Sequence, residues 1–361
     1  MSAPSISQHT TGTARTRAAQ RGRGRNADRP TRIPARGWKD IALRVRSEIG
    51  DDHTALAAAG IAFFGFLAVI PGLAALVSIA GLVIPADEVT RRSQDLLGSL
   101  PSDARQLLTD QLETIAGRST DTLSLSLALS VGLSLWSASS GMGHLIEGVN
   151  VAYDEQDERN WFVKKALALA LTLGAVVFVV FAVIGLAALP AIVDRLGLPR
   201  WAGTLIQAAF WPVLVVGFVG GLAVIYRRGP HRADPRWRWV SVGSVVAIGL
   251  WLAASVAFRF YASNFASYDE TYGSLAAVVV LMMWLYLTAF VVLLGAQINS
   301  EMEHQTARDS TDGPPEPLGR RGAVMADTVG RSADEPEPAP ETMAEAVSEH
   351  GHALEDARCG E

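Results

Sequence analysis

Apolar residues gather in six stretches along this 361-residue chain, near 55–84, 123–140, 166–189, 205–226, 240–261 and 274–298. A helix needs about 20 apolar residues to cross a bilayer core, so the pattern predicts an all-α, polytopic integral membrane protein with six transmembrane helices. The first stretch is uncharged for thirty residues; Pro71 is expected to kink it, and Gly60, Gly65, Gly72 and Gly81 leave room for a close neighbour. Before it, Trp38, Ile41, Val45 and Ile49 alternate with Lys39, Arg44 and Arg46, which predicts a short helix lying on the membrane surface. Between the first two spans, Ala104, Leu108, Leu112 and Ile115 form one stripe and predict amphipathic helices on the far side, within residues 86–121.

The second stretch does not end as the others do. From Trp136 to Asp154 it runs on as WSASSGMGHLIEGVNVAYD, and at 100° per residue Trp136, Ser137, Ser140, His144, Glu147 and Asp154 share one face. Met142, Leu145, Ile146, Val149 and Tyr153 share the other, so a membrane helix is expected to continue as an amphipathic one. His144 and Glu147, three residues apart, can hydrogen-bond and tune each other's protonation. With Ser137, Ser140, Asn150 and Asp154 they form the candidate transport or binding site; the plain alternative is a wetted interfacial helix whose serines pack and whose Asn150 and Asp154 end it. A second candidate is an outer gate, in which Arg259 would pair with Asp269 or Glu270 beside Tyr272; there the plain alternative is a snorkelling arginine and an aromatic belt.

Charge separates the ends. Residues 1–46 carry ten Arg and one Lys against two Asp, a balance of +9, while residues 303–361 carry fourteen acids against five Arg, a balance of −9. Their composition predicts disordered tails at 1–36 and 304–361 around a membrane domain of residues 37–303. The basic residues concentrate in the loops on the side of the amino terminus, notably Arg227, Arg228, Arg232, Arg236 and Arg238. That asymmetry predicts a plasma-membrane protein with both termini cytoplasmic. Cys359 is the single cysteine, so no intrachain disulfide or thiolate metal site can form, and no cofactor or metal is expected. No apolar stretch precedes residue 55, so the first span is expected to direct insertion itself. The expected partners are membrane lipids; self-association stays open, and the arginine-rich tail reads as a topogenic signal, with no nucleic-acid partner expected.

Four stretches together resemble the YihY/BrkB family of bacterial inner-membrane proteins. They are AAAGIAFFGFLAVIPGL at 57–73, LWSASSGMGHLIEGVNVAYD at 135–154, YRRGPHRADPRWRWVSVGSVVA at 226–247, and the run from Tyr261 to Glu301. The resemblance covers roughly residues 41–303 and implies six helices in the plasma membrane. It implies no settled activity, since members have been labelled ribonucleases, virulence or serum-resistance factors and candidate envelope-lipid transporters. The chain departs from the pattern at Phe63, Phe64 and Ala68, where a Tyr and a Ser or Thr are usual, and at Gln297, where Glu is common.

A transporter or flippase-like protein for an amphipathic envelope component is the leading reading, because the ordered residues lie in membrane helices and no soluble catalytic domain is visible. A nuclease or other hydrolase would call for metal ions held by clustered carboxylates or histidines, and the spacing offers none on the cytoplasmic side. A scaffold acting through its tails is the third reading.

Overall fold

The computed structural model describes residues 22–83, 120–196, 199–265 and 274–334. Its elements are helices: α1 (Ala35–Asp51), α2 (Thr54–Val83), α3 (Thr120–Ala152), α4 (Trp161–Arg195), α5 (Arg200–Arg228), α6 (Trp237–Phe265), α7 (Ser274–His304) and the short α8 (Val324–Asp327). A 3-10 turn at Pro30–Arg32 precedes them, and among the described residues the β contact is an isolated bridge between Pro235 and Thr311. The described part of the first apolar stretch is helical, each of the other five lies within a single helix, and the second does run on without a break to Ala152.

By length and composition, Trp161–Val183, Trp201–Arg228, Trp237–Tyr261 and Val278–His304 can each cross a membrane. Helix α1 and the first part of α2 pass the same test as a pair bent by 63°. That bend falls at Asp52 and His53, where His53 has φ of +49°. Helix α2 continues as helix through position 71, but the Pro71 side chain, like residues 86–119, lies outside the described residues.

The long helices pack in a closed ring: α2 on α3, α3 on α4, α4 on α5, α5 on α6, α6 on α7, and α7 back on α2, with α7 also touching α3. Side chains of α4 such as Phe162, Val177 and Val183 are more than half exposed, as lipid-facing residues are in an isolated chain. The buried core lies nearer one end, where Val149, Tyr226, Val240, Leu293 and Ala296 meet. Two glycines set the crossing there. A Cβ on Gly243 would stand 2.3 Å from the Gly295 carbonyl oxygen, and one on Gly295 would stand 2.5 Å from the Tyr226 hydroxyl. Backbones therefore approach as small residues permit. Asn299 then accepts from Gly243 N–H at 2.8 Å and donates to the Val240 carbonyl at 3.1 Å, while Tyr226 donates to the Val292 carbonyl at 2.7 Å.

Residues 22–34 and 305–334 depart from the expectation of disorder. They form a cap over the end of the ring that holds residues 52, 153, 229 and 303. Arg23 pairs with Asp40 and Asp334, Arg44 with Glu301 and Gln305, and Arg227 with Asp312. Arg25 reaches the carbonyls of Gln305 and Gly330, and Arg321 those of Ala307 and Ala326. Composition alone misleads here because these arginines find fixed acceptors at the helix ends, and guanidinium groups bind planar oxygens through several parallel donors. Beneath the cap, Arg232 and Glu303 pair at 2.6 Å with both side chains fully buried, and the guanidinium lies 4.9 Å over the Tyr153 ring.

Removing one member of a buried ion pair strands the other charge. Arg232→Met alone should cost about 3 kcal/mol or more, and the double variant with Glu303→Leu should recover most of it; thermal melts in detergent read both, and equal melting of single and double variants would refute the coupling. A chain ending after Asp334 should melt like the full protein, whereas one ending after His304, deprived of the carbonyls that Arg25 reaches and of the Asp312 that Arg227 binds, should melt lower. Identical melting of the two truncations would show that the cap adds no stability.

Candidate functional site

Helix α3 presents its polar face outward. Ser137 and Glu147 are exposed, and Ser140 and His144 are partly so. His144 Nδ1 and Glu147 Oε2 stand 3.1 Å apart, as the three-residue spacing predicts. The face is walled on both sides. From α2, the Phe64 ring stacks on His144 with centroids 3.9 Å apart, and this is one of the positions where the chain departs from the family pattern. From α4, Lys165 Nζ donates to the Trp136 carbonyl at 3.2 Å and to Ser140 Oγ at 3.3 Å, and Trp161 lies 6.0 Å from the Trp136 ring. On the opposite face of α3, Ala138, Gly141 and Leu145 border an almost wholly apolar cavity of about 340 Å³ shared with Gly65 of α2 and Thr172 of α4.

The other expected site residues divide. Asn150 is buried, and both ends of its amide are used: Nδ2 donates to the Ile146 carbonyl at 2.9 Å and Oδ1 accepts from His231 N–H at 2.8 Å. It latches the 229–236 loop to the end of α3 and does not join the polar face. Asp154 lies beyond the helix end with φ of +52°. Arg259 is exposed on α6, while Asp269, Glu270 and Tyr272 of the expected outer gate lie outside the described residues.

Asp154 belongs to an acidic group that spacing did not reveal, together with Glu48, Asp52 and Glu301 from three separate segments. Burial, reinforced by Asp52, Glu301 and Asp154, pushes the Glu48 carboxyl up to about 7. Burial also pushes Asp52 up to about 6, against the pull of a hydrogen bond from Gln297 Nε2 at 3.3 Å. Burial and then Glu301 raise Asp154 as well. Gln297, at a position where the family resemblance leads one to expect Glu, also donates to Thr54 Oγ1 at 2.7 Å. The amide sits on α7, and the carboxylate sits opposite it on Asp52. Among the described residues, no three His, Cys, Asp or Glu converge in an arrangement that could hold a metal ion.

Both raised carboxyls hold protons more tightly in the folded chain than at their ordinary values of 4.5 and 3.8. Their contribution is therefore neutral in acid, where both states are protonated. It turns unfavourable as pH rises toward the folded values, and it is fully unfavourable above them. Glu48→Gln and Asp52→Asn should gain melting temperature relative to wild type between about pH 4.5 and about pH 8. A constant difference across that range would show that neither group is perturbed.

Comparison with known proteins gives the chain its relatives. The model of a family described as "Virulence factor BrkB" matches residues 45–318. The chain is 29% identical over 255 residues to the "ribonuclease-like protein YfkH" of Bacillus subtilis, covering 67% of this chain and 87% of that one. It is 24% identical over 259 residues to a "UPF0761 membrane protein" of Idiomarina loihiensis, covering 70% and 87%. A further "UPF0761 membrane protein", of Tolumonas auensis, is 34% identical over 84 residues, covering 23% and 28%. No solved structure matches. With the matched region taking in all the membrane-length helices just described, this chain belongs to the BrkB family of multi-pass membrane proteins.

Proposed function

We propose that the chain spans the plasma membrane six times, with both termini and the cap in the cytoplasm, and carries an amphipathic envelope lipid between leaflets in the manner of a flippase. The observation that carries this reading is the outward polar face of α3. Ser137, Ser140, His144 and Glu147 line a helix whose neighbours wall the face without covering it. A polar stripe open to hydrocarbon is costly unless it meets water, protein or polar headgroups. A lipid headgroup drawn to this face meets the His144–Glu147 pair at its watery end and exchanges water for the Ser140 and Ser137 hydroxyls further in, while its chains stay in the bilayer. The apolar cavity on the far side of the same helix leaves α3 room to shift between α2 and α4.

Headgroup-labelled phospholipid in liposomes containing the purified protein tests this. Wild type should expose inner-leaflet label to a membrane-impermeant quencher faster than empty liposomes do. His144→Ala and Glu147→Gln should each slow the rate about tenfold, the effect of ~1.4 kcal/mol on a barrier, without lowering the melting temperature. Translocation no faster than in empty liposomes across neutral and anionic labelled lipids would end this reading. If the rate persists in a chain lacking residues 1–21 and 335–361, a scaffold acting through those segments does not explain it.

A further inference from the structure

Lys165 is a cation whose charge no carboxylate meets among the described residues. Its neighbour shows the contrast: Lys164 Nζ donates to the Asp157 carbonyl at 2.8 Å and lies 4.0 Å from the Asp157 carboxylate. Arg23, Arg44, Arg159, Arg227 and Arg232 likewise have carboxylates beside them. Lys165 instead points to the polar face of α3, where the Trp136 carbonyl and the Ser140 hydroxyl accept two of its three donors. These neutral acceptors orient the ammonium without cancelling its charge. The Trp136 ring supports it at 4.2 Å from the centroid. Glu147 cannot neutralise it, because seven residues of helix place Glu147 roughly 10 Å further along the axis from Ser140.

The surroundings fix the depth. Trp136, Trp161 and Phe162 are 49%, 58% and 76% exposed, and their rings follow one another from the Trp136 ring that holds the lysine, Trp161 at 6.0 Å from Trp136 and edge-on to Phe162 at 5.1 Å. Exposed Trp beside a cation at the start of a membrane helix marks the headgroup level. A phosphate oxygen there can take the third ammonium donor and supply the missing charge, while its glycerol and chains lie along the exposed aromatic rings.

We infer that Lys165, held by Ser140 and Trp136, is a binding site for the phosphodiester of a phospholipid, the station at which a headgroup enters the polar face of α3. The inference rests on the transport reading for its purpose, but it is tested by binding alone. The protein in uncharged detergent is titrated with phosphatidylglycerol, with diacylglycerol of the same chains and with inorganic phosphate, and followed by thermal melting and by counting bound lipid in native mass spectrometry. Ligand that binds only the folded state raises its stability.

Phosphatidylglycerol should stabilise wild type and remain bound, and diacylglycerol and inorganic phosphate should not. Lys165→Gln should weaken phosphatidylglycerol binding about tenfold, the scale of one charge-assisted contact. Lys165→Arg should retain binding, and Lys164→Gln should match wild type. The inference is overturned if Lys165→Gln binds as wild type does, if diacylglycerol does as well as phosphatidylglycerol, or if inorganic phosphate alone gives the Lys165-dependent shift. Any of those results leaves the translocation assay free to succeed, and a failed translocation assay leaves a binding result intact.

Discussion

The last turns of α7 and the two residues that follow it set the terms for everything around them. Gln297, Asn299, Ser300, Glu301, Glu303, Gln305 and Thr306 follow one another in a short run, and all are buried. A buried polar group without a partner costs far more than a paired one returns, so this run is stable only if other segments bring partners to it. They come from every direction: Thr54 and Asp52 from the start of α2, Val240 and Gly243 from α6, Arg44 from α1, Arg232 from the 229–236 loop and the backbone of residues 23–27 from the amino-terminal arm. The ring of apolar helices could close in several ways by greasy contact alone. The polar end of α7 selects one register.

This division of labour explains what could be read from the chain. Helix positions were legible because spans announce themselves by length and apolarity, and the outward face of α3 was legible because a 3.6-residue repeat puts Ser140, His144 and Glu147 in line whatever surrounds them. The cap was not legible. Arg44 and Glu301 are 257 residues apart, and Arg23 and Asp334 are 311 apart. No local pattern links residues so distant, and an average over a charged, proline-rich tail hides the few arginines that meet fixed acceptors. Asn150 misled for a related reason: its place on α3 was visible in the sequence, but the backbone amide of His231 that occupies it was not.

Lys165 shows the same limit from the other side. In sequence it is one of two lysines at the mouth of a span, equivalent to Lys164. In the fold they part, one turning to the Asp157 carboxylate and carbonyl and the other leaning across a helix boundary onto an indole ring. The distinction depends on which face of α4 each leaves from, and on α3 passing within reach of only one.

The cap also imposes an order on the life of the molecule. Arg25 meets the Gln305 carbonyl across 280 residues of sequence, and at ~5–20 residues per second a ribosome needs roughly 14–56 s to make the intervening chain. Throughout that interval Arg25 is without the Gln305 and Gly330 carbonyls that hold it in the finished protein, while Arg23 already has Asp40 within 17 residues. Arg25 therefore serves two situations in turn: first as loose positive charge beside a membrane still receiving helices, and then, once α7 has emerged, as a clamp on the chain at its polar end.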